Sequence, residues 1–378
     1  MLKKRRNRIF LWFFAVIIFL NLIIIITDYT YLYKTFYYLK ANIDDYEIFD
    51  NRKVEAGNYV PIANGKTYNK SKLKADFRQY LENYETVSFL IIKNDSVAYE
   101  EYWDGYGPDS YSNSFSVAKS ITSILTGIAI DEGKIKSVDQ KVADFIPEYA
   151  SGSNAKLTVK HLLTMSASFD WDESYGNPFS TTTQAYYGKG LEKMVVNLKV
   201  LGTPGIENNY QSCNSLVLAY IIKKATGKNI SEYASEKLWK PLGAKNPALW
   251  SLDDENGFEK SYCCFNSNAR DFSRLGLLYL HKGVFNKKQI VSEKFVQESI
   301  TAADIVNSYG VKISHYGYSW WLTTGKDEEF FYARGILGQY IMVIPSKNIV
   351  VVRLGKHNPS KEEKSMQDVI LEYVVNNF

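Results

Sequence analysis

The stretch SNSFSVAKSITSILTGIAI, residues 112–130, decides the fold and raises a chemical question. From Ser116 onward the pattern becomes continuously apolar (ITSILTGIAI), which predicts a buried helix running to Gly133. Lys119 stands in its first turn, where the helix dipole favours anions over cations. Residues three apart share a helix face, so the Lys119 ammonium can reach the Ser116 hydroxyl. Unpaired backbone N–H groups of the first turn point the same way and can hold developing oxyanion charge. Burial lowers a lysine pKa from its usual value of about 10.4, which lets the amine accept or relay a proton. Lys119 is tolerated there because it serves the serine.

The S-x-x-K spacing recurs at Ser71–Lys74 and Ser153–Lys156. The first pair lies in a polar arm and the second in a Gly/Ser/Asn turn, and neither opens an apolar helix. Ser116 is therefore the candidate nucleophile. Such a serine also needs a group that carries protons to the leaving group. In PGIENNYQSCNSLVLAYIIKKATGK, residues 204–228, a Pro-Gly turn places Tyr210 just before a second helix, with Ser212 two residues on.

Other chemistries lack their residues. The four histidines show no H-E-x-x-H spacing, and His161 in KHLLTM reads as a structural histidine on a helix. G-x-S-x-G, G-x-G-x-x-G and the P-loop are absent, so no metal and no cofactor is expected. The formal net charge of +4 owes much to KKRRNR at the N-terminus, leaving no nucleic-acid footprint. Three cysteines, two of them the neighbours Cys263 and Cys264, make no disulfide framework, because adjacent cysteines bridge only with strain.

Residues 9–27, IFLWFFAVIIFLNLIIIIT, are long and apolar enough to cross a bilayer. Basic residues precede them; Asp28, Tyr29, Tyr31 and Tyr33 follow. The positive-inside tendency keeps the N-terminus cytoplasmic and sends the rest outside, and no small-residue cleavage pattern follows the span. An uncleaved single-pass anchor in the cytoplasmic (inner) membrane is expected, with the folded domain periplasmic or extracellular. Residues 87–103 predict two strands around an Asn94-Asp95 turn. Helical segments fill the middle, at 157–165, 214–227 and 269–283. Strands return at 317–325, 330–345 and 348–355, before a closing helix at 361–378. The fold class is thus α+β (an α/β sandwich): an antiparallel sheet from both chain ends, flanked by helices, with an inserted helical subdomain.

From about Val87 to the C-terminus the chain resembles the serine β-lactamase-like family, which includes penicillin-binding proteins, class C β-lactamases and related esterases. The resemblance rests on SVAK with its following helix, LTVKHLLTMSASFDWDE at 157–173, YQS at 210–212, ARDFSRLGLLYLHKG, YGYSWWL and GQYIMVIPSKNIVVVRLG, in that order. YQS in place of Y-x-N, with YGYSWWL and GQYIMVIP, is most similar to the branch of 6-aminohexanoate-dimer hydrolases and carboxylesterase-type relatives. The resemblance implies that Ser116 is acylated, Lys119 relays protons, Tyr210 is general base and acid, and Ser212 takes the hydrogen-bonding place of the asparagine. The family's third motif, K-T-G or H-x-G, is altered: HYG at His315 falls too early, and GILGQ at 335–339 carries Ile336 where a cation usually sits. There the backbone N–H of Gln339, beside Gly338, is expected to supply a second oxyanion donor. The missing cation argues against β-lactamase and D-Ala-D-Ala chemistry, with Arg334 as a substitute or simply a solvated strand arginine. Of Trp320 and Trp321, at most one lines the site, and Asp170 to Glu173 form a solvated acidic rim.

The expected organisation is a basic tail (1–8), a membrane helix (9–27), a stalk or N-terminal arm (28–85) and a hydrolase domain (86–378). The expected activity is cleavage of an ester or amide in a small molecule or short peptide. The alternatives are a penicillin-interactive D-Ala peptidase acting on cell-wall peptides and an inactive peptidoglycan- or lipid-binding module. No nucleic-acid partner is expected.

Overall fold

The computed structural model describes residues 2–323 and 328–378, so the last two residues of the strand expected at 317–325 lie outside the described residues. The chain begins with α1 (Leu2–Ile26), α2 (Tyr31–Tyr38), β1 (Asn51–Val54), α3 (Ala75–Asn83), β2 (Thr86–Lys93) and β3 (Ser96–Tyr102). Strand β4 (Ser112–Asn113) leads into α4 (Val117–Asp131), then α5 (Val159–Leu163), α6 (Thr181–Tyr187), α7 (Leu191–Asn197), α8 (Cys213–Thr226) and α9 (Ile230–Ala234). After β5 (Ala248–Ser251) and β6 (Phe265–Ser267) come α10 (Ala269–Leu280), the small hairpin β7 (Val284–Phe285) and β8 (Lys288–Gln289), and α11 (Glu293–Ser299). The chain closes with β9 (Trp321–Thr323), β10 (Phe330–Gly335), β11 (Gln339–Ile344), β12 (Ile349–Gly355) and α12 (Met366–Asn377).

The two ends of the chain share one six-stranded antiparallel sheet in the order β3-β2-β12-β11-β10-β9. Asn94 and Asp95 both take left-handed φ angles, 47° and 62°, as a two-residue hairpin turn between β2 and β3 requires. Strand β12 enters between β2 and β11, placing Val351 opposite Ile91. Side chains alternate along every strand. Leu90, Ile341, Val350 and Val352 join the core that contains α4, α8 and α10. Phe89, Tyr340, Met342 and Val351 join a second core, closed by Phe77 and Leu81 of α3 and Ile370 and Val374 of α12. Both faces are covered, which is why these strands read as nearly unbroken apolar runs.

A smaller four-stranded sheet, β1-β5-β6-β4, ties the N-terminal segment to the start of α4. Residues 31–85 lie against the domain: Ile43 and Val54 are fully buried, β1 pairs with β5, and α2 packs on α6. Helix α1 extends from the domain, with none of the apolar window Ile9–Ile26 (mean hydropathy 3.1) buried. Cys263 and Cys264 are joined to each other. That bond links neighbours and closes no loop of chain, so it does not staple the fold. Cys213 is free and buried.

Lys260 is buried on the main core, with its ammonium 4.8 Å from the Phe49 ring centroid and 3.5 Å from the Ala185 carbonyl oxygen. Among the described residues it makes no ion pair, and burial pulls its pKa down to about 7. The unfolded chain keeps that proton up to about pH 10.4, so stability rises as pH climbs between the two values. Lys260→Met is expected to raise Tm by a few degrees near pH 6 and by less near pH 10. Thermal melts of the full chain at the two pH values check this; equal gains at both would mean Lys260 is not held neutral by the fold.

Candidate active site

Ser116 reaches its position through a strained turn. Ser114 N–H donates to the Phe265 carbonyl (3.0 Å), and the Asn113 side-chain oxygen accepts from the Phe115 and Cys264 N–H groups (2.9 and 3.1 Å). Phe115 is forced to φ 45°, a left-handed conformation uncommon for a bulky residue and worth noting directly before a candidate nucleophile. Gly335, at the end of β10, lies against this turn, and a Cβ there would fall 2.3 Å from the Ser114 carbonyl oxygen. The turn delivers Ser116 to the N-terminus of α4, ahead of the helix's own hydrogen-bond ladder.

One turn along α4, Lys119 is 1% exposed, and its Nζ donates to Ser116 Oγ and to the Tyr262 carbonyl oxygen, both at 2.9 Å. Its ammonium also lies 5.1 Å from the centroid of the Tyr210 ring. Burial pulls its pKa down to about 8, while the negative charge of Glu173 works the other way. A neutral amine at this distance from a hydroxyl can take its proton. Tyr210 is brought in by the loop before α8, which is tied to the 164–165 segment by Asn209 N–H to the Met165 carbonyl (2.7 Å). Burial dominates its pKa and raises the phenol well above its ordinary value, while the nearby Ser116 hydroxyl lowers it a little. The neutral phenol is therefore the favoured resting form of Tyr210.

The acidic loop is not simply a solvated rim. Asp172 is exposed, but Glu173 is half-buried and accepts from Ser212 Oγ (2.6 Å), Ser212 N–H (2.7 Å), Trp171 Nε1 (2.8 Å) and the Tyr175 hydroxyl (2.7 Å). The Ser212 hydroxyl thus turns to Glu173, and its backbone lies at the start of α8. Nothing in WDE marks the glutamate, because its partners lie 2 and 39 residues away.

The altered third motif is held from behind. Leu337 and Gly338 take φ angles of 61° and 84°, and their carbonyls each accept from the buried Arg353 guanidinium at 2.8 Å. A Cβ on Gly338 would collide with Arg353 Nη1 at 2.0 Å. Ile336 and Leu337 line the cavity beside Ser116. Gln339 does not: its side chain is fully buried, donating to the Ile336 and Gly355 carbonyls at 3.1 and 2.7 Å and accepting from the Gly355 N–H at 3.1 Å. These side-chain bonds fix the hairpin; the oxyanion donor expected at Gln339, beside Gly338, is its backbone N–H.

Strand β9 settles the tryptophans. Trp320 is fully buried against Tyr279 and Phe331, whereas Trp321 lies 5.6 Å from the Tyr210 ring. Arg334 stands over Trp321 at 6.0 Å, and its positive charge favours the ionised form of Tyr210. His315 stacks on Trp321 at 6.1 Å, a neighbourhood its place in HYG did not reveal. His161 closes the start of α5, its Nδ1 accepting from Thr158 N–H at 3.3 Å. Among the described residues no group of three or more His, Cys, Asp or Glu could hold a metal.

The Beta-lactamase family model matches residues 73–374. The chain belongs to the beta-lactamase family. It is 29% identical over 298 residues to a 6-aminohexanoate-dimer hydrolase of Paenarthrobacter ureafaciens, spanning 74% of each chain. Its fold is shared with a Bacillus anthracis structure called a putative 6-aminohexanoate-dimer hydrolase (TM-score 0.77, 22% identity, 89% of this chain and 92% of that one). A family VIII carboxylesterase also has this fold (TM-score 0.63, 16% identity, 81% of this chain and 98% of that one). This beta-lactamase-family protein is a serine hydrolase whose relatives include amidases and esterases.

Because the Glu173 charge raises the Lys119 pKa, Glu173→Gln is expected to move the rising limb of the pH–rate profile below its position near pH 8. The profile of kcat/KM against pH checks this, and an unmoved limb would separate Glu173 from Lys119.

Proposed function

We propose that this chain is a membrane-anchored serine hydrolase that cleaves an ester or amide through an acyl-enzyme on Ser116. The observation that carries the reading is the Lys119 amine, 2.9 Å from Ser116 Oγ, with its pKa drawn to about 8. Lys119 in its neutral form takes the hydroxyl proton as Oγ attacks the carbonyl carbon. The new oxyanion is met by the Ser116 N–H and by the backbone N–H of Gln339. As the C–O or C–N bond breaks, the Tyr210 phenol gives its proton to the leaving group and recovers one from the Lys119 ammonium. Water then attacks the acyl-serine, surrenders its proton along the same path, and the free acid departs. No step asks for a metal or cofactor.

Anchoring is supported by the exposed apolar helix at Ile9–Ile26, with basic residues before it and aromatic residues after it. That charge asymmetry favours a cytoplasmic N-terminus and a hydrolase domain outside the cytoplasm.

Ser116→Ala is expected to abolish labelling by a fluorophosphonate, and labelling at the wild-type rate would refute the nucleophile. Tyr210→Phe is expected to lower kcat about 10²-fold or more, because the leaving group loses its proton donor. Initial-rate turnover of an ethyl ester, whose alkoxide leaving group needs a proton, measures this, and an unchanged rate would leave Lys119 acting alone.

A further inference from the structure

The cavity that holds Ser116 has a volume of about 530 Å³, enough to enclose most of a small ligand. One wall comes from α2 and the residues after it, through Phe36, Leu39 and Ala41; Phe115, Ile336 and Leu337 close it near the serine. Among the described residues lining it, Lys40 is the only one with a full charge. A cavity of this kind gives an ionic substrate little to bind and an apolar chain much.

Its position adds the second observation. Helix α2 follows the apolar helix after only residues 27–30, which at full extension reach less than about 20 Å. The connection is not loose: the Tyr33 hydroxyl donates to Asn21 Oδ1 of α1 at 2.6 Å. Tyr31 and Leu32 are buried in the main core, and the Tyr38 ring stacks on Tyr187 of α6 at 6.2 Å. The cavity mouth is thus held close to the end of the span. On that wall Phe36, Tyr37 and Leu39 are 59%, 79% and 75% exposed. They extend the aromatic run after the span into the zone where a bilayer's headgroups lie.

We propose that the cavity takes the acyl chain of an ester or amide resident in the membrane, entering beside α2, so that the substrate class is a long-chain acyl amphiphile. The proposal rests on the Ser116 acyl-enzyme. Ser116 Oγ bonds to the acyl carbon as the bond to the headgroup breaks, and the serine proton leaves with the headgroup. Water then splits the acyl-serine to the free fatty acid.

The test uses the full chain in phosphatidylglycerol vesicles with p-nitrophenyl esters from acetate to laurate. The expected result is a kcat/KM that rises about 2- to 4-fold per methylene until the cavity is full, then levels. Ala41→Trp, which fills the cavity, is expected to cut the octanoate-to-acetate ratio at least tenfold, with fluorophosphonate labelling retained as proof of folding. Rates that stay flat with acyl length while labelling persists overturn this inference and leave the acyl-enzyme standing. Loss of labelling in the wild-type chain overturns the acyl-enzyme itself. Octyl acetate outrunning ethyl octanoate would put the chain on the alcohol side and overturn the acyl placement. A lauroyl ester is expected to be cleaved faster in the enzyme's own vesicles than in separate ones; equal rates would mean entry through water.

Discussion

The removal of Lys119 from water is the constraint on which the site depends. An ammonium in an apolar helix carries a large desolvation cost unless it is hydrogen-bonded or loses its proton. Here it is partly compensated by the Tyr262 carbonyl and the Ser116 hydroxyl, and the rest appears as a pKa near 8. Each compensating group is held by a different part of the fold. Tyr262 lies before β6, next to the Cys263–Cys264 pair, and Ser116 follows β4. Since β4 and β6 pair directly, the small sheet sets both partners of the amine at once. A carbonyl of β6, at Phe265, receives the Ser114 N–H and fixes the turn.

Two further charged groups do comparable work at one remove. Glu173 gathers donors from the 171–175 loop and from the start of α8, so one carboxylate joins the loop that borders the cavity to the segment carrying Tyr210. Its charge also limits how far the Lys119 pKa falls. Arg353 takes the place of a cationic side chain in the third motif in a structural sense only. It binds the carbonyls of Leu337 and Gly338 from within the sheet, leaving the cavity face of that hairpin apolar. With the hairpin fixed by a buried guanidinium, the motif can lose its cation without losing its shape.

What the sequence made legible follows from the range of the interactions involved. Ser116 and Lys119 are one helical turn apart, so spacing alone predicted their contact. The Asn94-Asp95 hairpin and the antiparallel sheet were equally local or periodic. Glu173 was misjudged because its value comes from Ser212 and Lys119, remote in the chain, while its sequence neighbours are polar. The Gln339 side chain was not legible: it begins β11 and turns back to the Gly355 backbone, a pairing 16 residues away, whereas the oxyanion role expected of Gln339 concerns its backbone N–H. Strand alternation showed that Trp320 and Trp321 face opposite ways, but only Tyr279 and Phe331, packed on Trp320, determine which faces inward. The cavity wall made by α2 was hidden because a tyrosine-rich segment reads alike as stalk, arm or membrane collar.

On the proposed reading, the apolar cavity and the depressed lysine are one device. The surroundings that receive an acyl chain are also the surroundings that make the charged amine costly. A chain that fills the cavity displaces the remaining water near Ser116 and strengthens each electrostatic contact there. The neutral form of Lys119 then gains further, so binding the apolar part of the substrate prepares the base that attacks its polar part. An acyl group too short to fill the space leaves water beside the amine and a larger protonated fraction. Selection for chain length thus acts on the chemical step as well as on affinity, and a serine with so common a neighbour as lysine becomes reactive chiefly toward the substrate that dries the site.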